Sequence, residues 1–249
     1  MKQINVLLFD LGSTLIFSRD PWSDVLPVAD QALLASLHQS GLCLTSENFF
    51  QEFGGFLDGY YAARGYGTIE RTTFVALKEF LAEKGCEPVE DALVRKALDE
   101  MYSVTQKNWC LEQDSIPTLD RLLSNGFRLG LISNTSDDKN VQQLIDQHGL
   151  RNYFEFIITS AGCGIRKPDS RIFQAALDHF TVESDCAAMV GDTPEADILG
   201  ANQMGIYSIW ITRRYIGIQD GELAIQPQAV VTALDQIPAL LQAVNSKPG

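Results

Sequence analysis

A doubly wound α/β fold, with a parallel central sheet and an inserted helical subdomain, is the architecture this sequence predicts. Three observations predict it. Short apolar runs recur without polar alternation, as strands buried on both faces require. Helical stretches separate the later runs. The segment 20–114 shows helical periodicity and no convincing strand. A length of 249 residues suits a core domain with a modest insertion, and a hydrophobic fraction of 45% can fill a core.

The strand runs, in order, are INVLLF (4–9), FRLGLIS (127–133), FEFIIT (154–159), CAAMVG (186–191) and IYSIWIT (206–212), with AVVT (229–232) a weaker sixth. Between them, 137–148 begins with an acidic first turn and 169–179 follows Pro168. The stretch 194–204 has Pro194 at its first helical position, where the missing N–H costs nothing. The core is therefore expected over 1–19 and 115–249, and the inserted subdomain over 20–114. That subdomain reads as four helices, about 24–39, 46–63, 70–84 and 88–108. The second carries Phe49, Phe50, Phe53, Phe56, Leu57, Tyr60 and Tyr61 at helical spacing. Packing inside the subdomain accounts for such a stripe. The other reading turns Tyr60, Tyr61, Arg64 or Tyr66 toward a substrate, with Gly65 and Gly67 lending mobility. The closing NSKPG (245–249) reads as a frayed terminus.

The net charge of −13 argues against a nucleic-acid-binding face. It also repels free anions, so any phosphate site needs a local cation. Five scattered cysteines without CxxC spacing predict neither a zinc site nor a disulfide framework, but buried reduced thiols. No run approaches the ~18 apolar residues of a membrane helix, and Met1-Lys2-Gln3 leads straight into a strand-like run. A cytoplasmic, soluble protein without a membrane partner is expected. Its oligomeric state stays open.

Four short motifs fall at strand ends or in the loops after them. Asp10 follows INVLLF. Ser133-Asn134 closes FRLGLIS. Arg166-Lys167-Pro168 lies just beyond FEFIIT, and Gly191-Asp192-Thr193 ends CAAMVG. Ligands of open parallel sheets sit outside the carboxyl ends of the strands, so the order alone points all four at one crevice. The chemistry implied is phosphoryl transfer through an aspartyl intermediate. Asp10 would attack phosphorus. Asp192 and Asp10 together suit Mg²⁺, which takes one or two carboxylates and keeps several waters. Asp197 is a further ligand, direct or through water. Lys167 would supply fixed positive charge. Ser133 and the backbone amides near 11–14 and 134 would hold phosphoryl oxygens. Each motif alone has a plainer reading, as a turn or a helix cap; their convergence carries the weight.

The motifs FDLGSTL, LISNTS, RKPDSRIF and VGDTPEADILGA, read in that order, resemble the haloacid dehalogenase-like hydrolase superfamily, in the branch with an α-helical cap after the first motif. The resemblance covers essentially the whole chain. It implies a Rossmann-like core and a cap over 20–114. It implies Asp10 as nucleophile, Ser133 with Asn134 at the phosphate, and Lys167 balancing charge. Asp10, Asp192 and Asp197 with the main-chain carbonyl of Gly12 are the implied Mg²⁺ site. The departure is Gly12. In family phosphatases an Asp there protonates the leaving group and later activates water, and Gly can do neither. Water, a cap residue, Ser13 or Thr14 are open as substitutes.

The function expected is Mg²⁺-dependent hydrolysis of a small phosphorylated metabolite, with the cap closing over the core. Two alternatives stand beside it. One is dehalogenation, which uses the same aspartyl attack on carbon without a metal. The other is a catalytically weakened protein that still binds phosphate or metal.

Overall fold

The computed structural model describes residues 3–42, 44, 46–63, 67–86, 88–214 and 225–246. Strand β1 (Val6–Phe9) lies at the centre of a six-stranded parallel sheet. On one side follow β4 (Arg128–Ser133) and β5 (Phe156–Thr159). On the other follow β6 (Ala187–Gly191), β7 (Tyr207–Ile211) and β8 (Ala229–Val231). All six predicted strands are present. The chain moves outward from β1 in one direction, then crosses to the other side at β6, which opens a crevice at the carboxyl ends of β1, β4 and β6.

Apolar side chains fill both faces of the sheet. Leu7, Phe9, Leu129 and Leu131 join one core with α5 (Ser115–Ser124), α6 (Asp138–Gln147) and α10 (Ile237–Asn245). Val6, Leu8 and Ile132 join the other with α8 (Ser170–Phe180) and α9 (Leu199–Met204). Gly130 is needed between them, since a Cβ there would meet the Phe180 ring at 2.9 Å. Helices α5 and α10 were not anticipated. Each carries a proline near its start, Pro117 and Pro238, in a short helix with few periods to read.

Four helices precede the second strand of the sheet: α1 (Trp22–Gln39), α2 (Ser46–Ala62), α3 (Thr73–Glu83) and α4 (Asp91–Thr105). They pack around an apolar cluster of their own, which includes Leu33, Leu37, Phe49, Phe53, Phe80 and Leu98. The aromatic stripe of α2 is therefore largely packing: Phe49 stacks on Phe53, and Phe53 meets Phe80 with ring centres 5.1 Å apart. Tyr61 bonds Thr73 Oγ1 at 2.8 Å, and Tyr60 lies under the Arg71 guanidinium. Arg64, Gly65 and Tyr66 lie outside the described residues.

Three readings need correction. The segment 20–114 does contain a strand: β3 (Trp109–Leu111) pairs antiparallel with β2 (Ile16–Ser18), forming a ribbon where the helical segment leaves and rejoins the sheet domain. Three-residue strands offer no alternation to detect. Among the described residues the thiols are free, as expected, but not buried: Cys86, Cys110 and Cys186 are half-buried and Cys163 is exposed, while Cys43 lies outside the described residues. The expected fraying of 245–249 does not extend to Asn245, whose side chain exchanges two hydrogen bonds of 2.9 Å with the backbone of Ile4, while residues 247–249 lie outside the described residues. The short helix α7 (Ser160–Cys163) follows β5 directly. Among the described residues no helix is long and apolar enough to cross a membrane.

Candidate active site

The crevice at the strand ends holds a cavity of about 350 Å³. All seven residues that the sequence nominates line it: Asp10, Gly12, Ser133, Asn134, Lys167, Asp192 and Asp197. At its base, the Lys167 ammonium donates to Asp10 Oδ1 at 2.6 Å and to the Ile132 carbonyl at 2.7 Å. It also pairs with Asp197 Oδ1 at 2.7 Å. Two hydrogen bonds and one ion pair thus surround the ammonium, on a residue only 2% exposed. Burial works to lower the Lys167 pKa, but Asp10 and Asp197 outweigh it and the group ends raised.

Asp10, Asp192 and Asp197 each present a carboxylate oxygen within 4.8 Å of the others. Burial pushes Asp10 up to about 7; Lys167 opposes this, while Asp197 and Asp192 add to it. Burial, then Asp197, pushes Asp192 up to about 6. Three carboxylates face one buried ammonium, so the cluster carries excess negative charge. That is the condition under which a hard divalent cation binds oxygen donors.

Local structure explains each placement. Asp10 extends from β1 and its amide bonds the Val190 carbonyl of β6 at 2.9 Å. Asn134 joins two loops reciprocally. Its Nδ2 donates to the Lys167 carbonyl at 3.0 Å and its Oδ1 accepts from the Lys167 amide at 2.8 Å. Ser133 ends β4 with its hydroxyl bonded to nothing among the described residues, and so available to a ligand. Asp197 sits on a wide π-type turn, Pro194–Ile198, that precedes α9 where a regular helix was expected. Such turns recur at functional sites. This one lays the Asp197 carboxylate against Gly191. A Cβ on Gly191 would come within 2.2 Å of Asp197 Oδ2, so only glycine fits.

One neighbour escaped sequence reading: Trp109, on β3, lines the cavity beside Gly12. Ser13, one of the open substitutes, is also in the lining and holds φ 57°, a left-handed conformation uncommon for a residue with a side chain. Of the open substitutes for a proton donor, Thr14 is fully buried and absent from the cavity lining.

With this geometry in place, comparison with known proteins is decisive at the level of family. The description "haloacid dehalogenase-like hydrolase" matches residues 4–205. The chain belongs to the haloacid dehalogenase-like hydrolases. Among relatives in this family, phosphoserine phosphatase of Thermus thermophilus is 32% identical over 136 residues, 55% of this chain and 53% of that protein. Glyceraldehyde 3-phosphate phosphatase of Methanothermobacter thermautotrophicus is 29% identical, covering 84% of this chain and 85% of that one. The 2-haloacid dehalogenase of Pseudomonas syringae pv. Tomato superposes with a TM-score of 0.68 at 25% identity, covering 97% and 100% of the two chains. The chain spans 64% and 53% of the lengths of the first two curated relatives it matches. As a member of this family, the chain carries the parallel α/β core that goes with it.

Proposed function

We propose that this hydrolase is a Mg²⁺-dependent phosphatase of a small phosphorylated metabolite, acting through a phosphorylated Asp10. The observation that carries the reading is the Lys167 ammonium held between Asp10 and Asp197, within a cluster of three carboxylates. The donor set is all oxygen and its charge is in excess, which fits Mg²⁺ rather than a soft metal. Asp10, Asp192, Asp197 and the main-chain carbonyl of Gly12 would hold the ion. When bound, Mg²⁺ would neutralise phosphoryl charge and orient the phosphate for in-line attack.

The chain's own residues do the rest. Lys167 keeps Asp10 oriented and adds a fixed positive charge where an anionic phosphate must approach an anionic nucleophile. Ser133 donates its hydroxyl to a phosphoryl oxygen. Asn134 acts at one remove, as a positioning residue that fixes the Lys167 loop. The four helices 22–105 serve as a cap that limits access of bulk water, and the units 1–19 with 115–249 and 20–114 are the two domains of this reading. Relatives named as phosphatases support it. A cytoplasmic setting, a small-molecule partner, and no role for nucleic acid or membrane complete the proposal.

The test is hydrolysis of p-nitrophenyl phosphate. Turnover is expected with Mg²⁺, to be abolished by chelator and by Asp10→Asn. Chelator-insensitive turnover would overturn the Mg²⁺-dependent reading, and halide release from a 2-haloacid without phosphate release would replace it with dehalogenation.

A further inference from the structure

The cavity is poor in proton donors. Among the described residues lining it, the titratable side chains are Asp10, Arg166, Lys167, Asp192 and Asp197. The three carboxylates are gathered in one cluster. Arg166 does not deprotonate in proteins, and Lys167 is held charged between two carboxylates. The other polar groups of the lining are hydroxyls and amides, which donate hydrogen bonds but transfer no proton near neutrality.

Position 12, two residues past the nucleophile, is flanked by an apolar ring. A Cβ built on Gly12 would lie 3.5 Å from Cη2 and 3.9 Å from Cζ3 of Trp109, so the benzo edge of the indole faces the space a side chain would enter. The ring is braced. Trp109 pairs with Ser18 across the ribbon and packs against Trp22 with ring centres 5.5 Å apart. Ile16, Val141 and Leu144 add to the apolar lining.

We propose that the site selects phosphoryl compounds whose leaving group departs without a proton, namely acyl phosphates and phosphate esters of acidic hydroxyls, over phosphate esters of alkyl alcohols. The proposal rests on the phosphatase reading and names its substrate class. An Asp10 oxygen forms a bond to phosphorus while the bond from phosphorus to the leaving oxygen breaks. The electron pair stays on that oxygen, which leaves as a carboxylate or as the anion of an acidic phenol such as p-nitrophenol, needing no proton near neutrality. Water then attacks phosphorus and gives its proton to bulk solvent. The Asp10 oxygen–phosphorus bond breaks, restoring the carboxylate and releasing inorganic phosphate. An alkoxide formed beside Trp109 has no acid among the described lining residues to quench it.

The experiment measures kcat/KM of the Mg²⁺-loaded protein, which reports the first step, for acetyl, p-nitrophenyl, phenyl and ethyl phosphate. The rates are expected to follow leaving-group acidity. Ethyl phosphate should fall below p-nitrophenyl phosphate by at least the ~10²–10⁴-fold that a general acid contributes. Comparable values for the two would overturn the inference while leaving the phosphatase reading intact. Absence of turnover for all four, with or without Mg²⁺, overturns both. Gly12→Asp combined with Trp109→Leu, which clears the ring from the new carboxylate, is expected to narrow the gap by raising ethyl phosphate turnover. A folded double variant with an unchanged gap counts against the proposal.

Discussion

Gly191 has no side chain because Asp197 needs its place. The carboxylate lies where a Cβ at 191 would be, and its Oδ2 accepts the Thr193 amide at 3.0 Å. Gly191→Ala should therefore push Asp197 away from Asp10 and Asp192 without unfolding the sheet. The Mg²⁺ concentration for half-maximal turnover is expected to rise about 10–100-fold, the usual effect of disturbing the support of a metal ligand. An unchanged Mg²⁺ requirement in the folded variant would separate Asp197 from the ion. Asp10, Lys167 and Asp192 were legible in the sequence because each follows an apolar run at a strand end, where ligands gather. Trp109 was not legible. Its position against Gly12 depends on a three-residue ribbon whose two strands are far apart in sequence, and no local pattern reports such a pairing. The role of Gly191 was equally hidden, since the contact that requires glycine comes from a turn of unexpected width.

At the scale of elements, the fully buried strands were the most readable part of the molecule. Val6 to Phe9 and Ala187 to Val190 show no solvent exposure, and their unbroken apolar sequence says so. The amphipathic helices of the early segment were readable within a few residues at each end, as frayed helix ends allow. The short helices with internal proline were not. Helix α1 carries a cost the sequence pattern does not show. Half-buried Asp30 has its carboxyl pushed up to about 6 by burial alone, against 3.8 when exposed. The folded chain therefore binds more protons than the unfolded chain between those values. Stability falls as pH rises through that window, and the penalty persists at neutral pH. Asp30→Asn is expected to raise Tm at neutral pH and to lose that advantage below 3.8. A calorimetric pH series checks both limbs, and a Tm difference independent of pH would refute the assignment.

Across the whole molecule, the four-helix segment is fastened to the sheet domain by polar contacts. Arg95 of α4 pairs with Asp137, which also caps α6 by accepting the Asn140 amide at 2.9 Å. Lys139 of α6 reaches Asp99 of α4 at 2.7 Å. Lys139→Glu sets two carboxylates against each other. An exposed pair is worth ~0.2–1 kcal/mol, so the change in KM is expected to be a few-fold, fading as added salt screens the charges. A salt-independent effect would point to packing instead.

A second fastening lies beside the site. The Glu70 amide bonds the Gly164 carbonyl at 2.9 Å, and the Arg166 amide bonds the Thr68 carbonyl at 2.8 Å. The next residue is Lys167. In the proposed reading, the helical cap and the arm that carries the ammonium are thus tied into one mechanical part. Swinging such a cap outward would either snap this clasp or tug the cation off its carboxylates, gearing admission of a reactant to readiness to attack it.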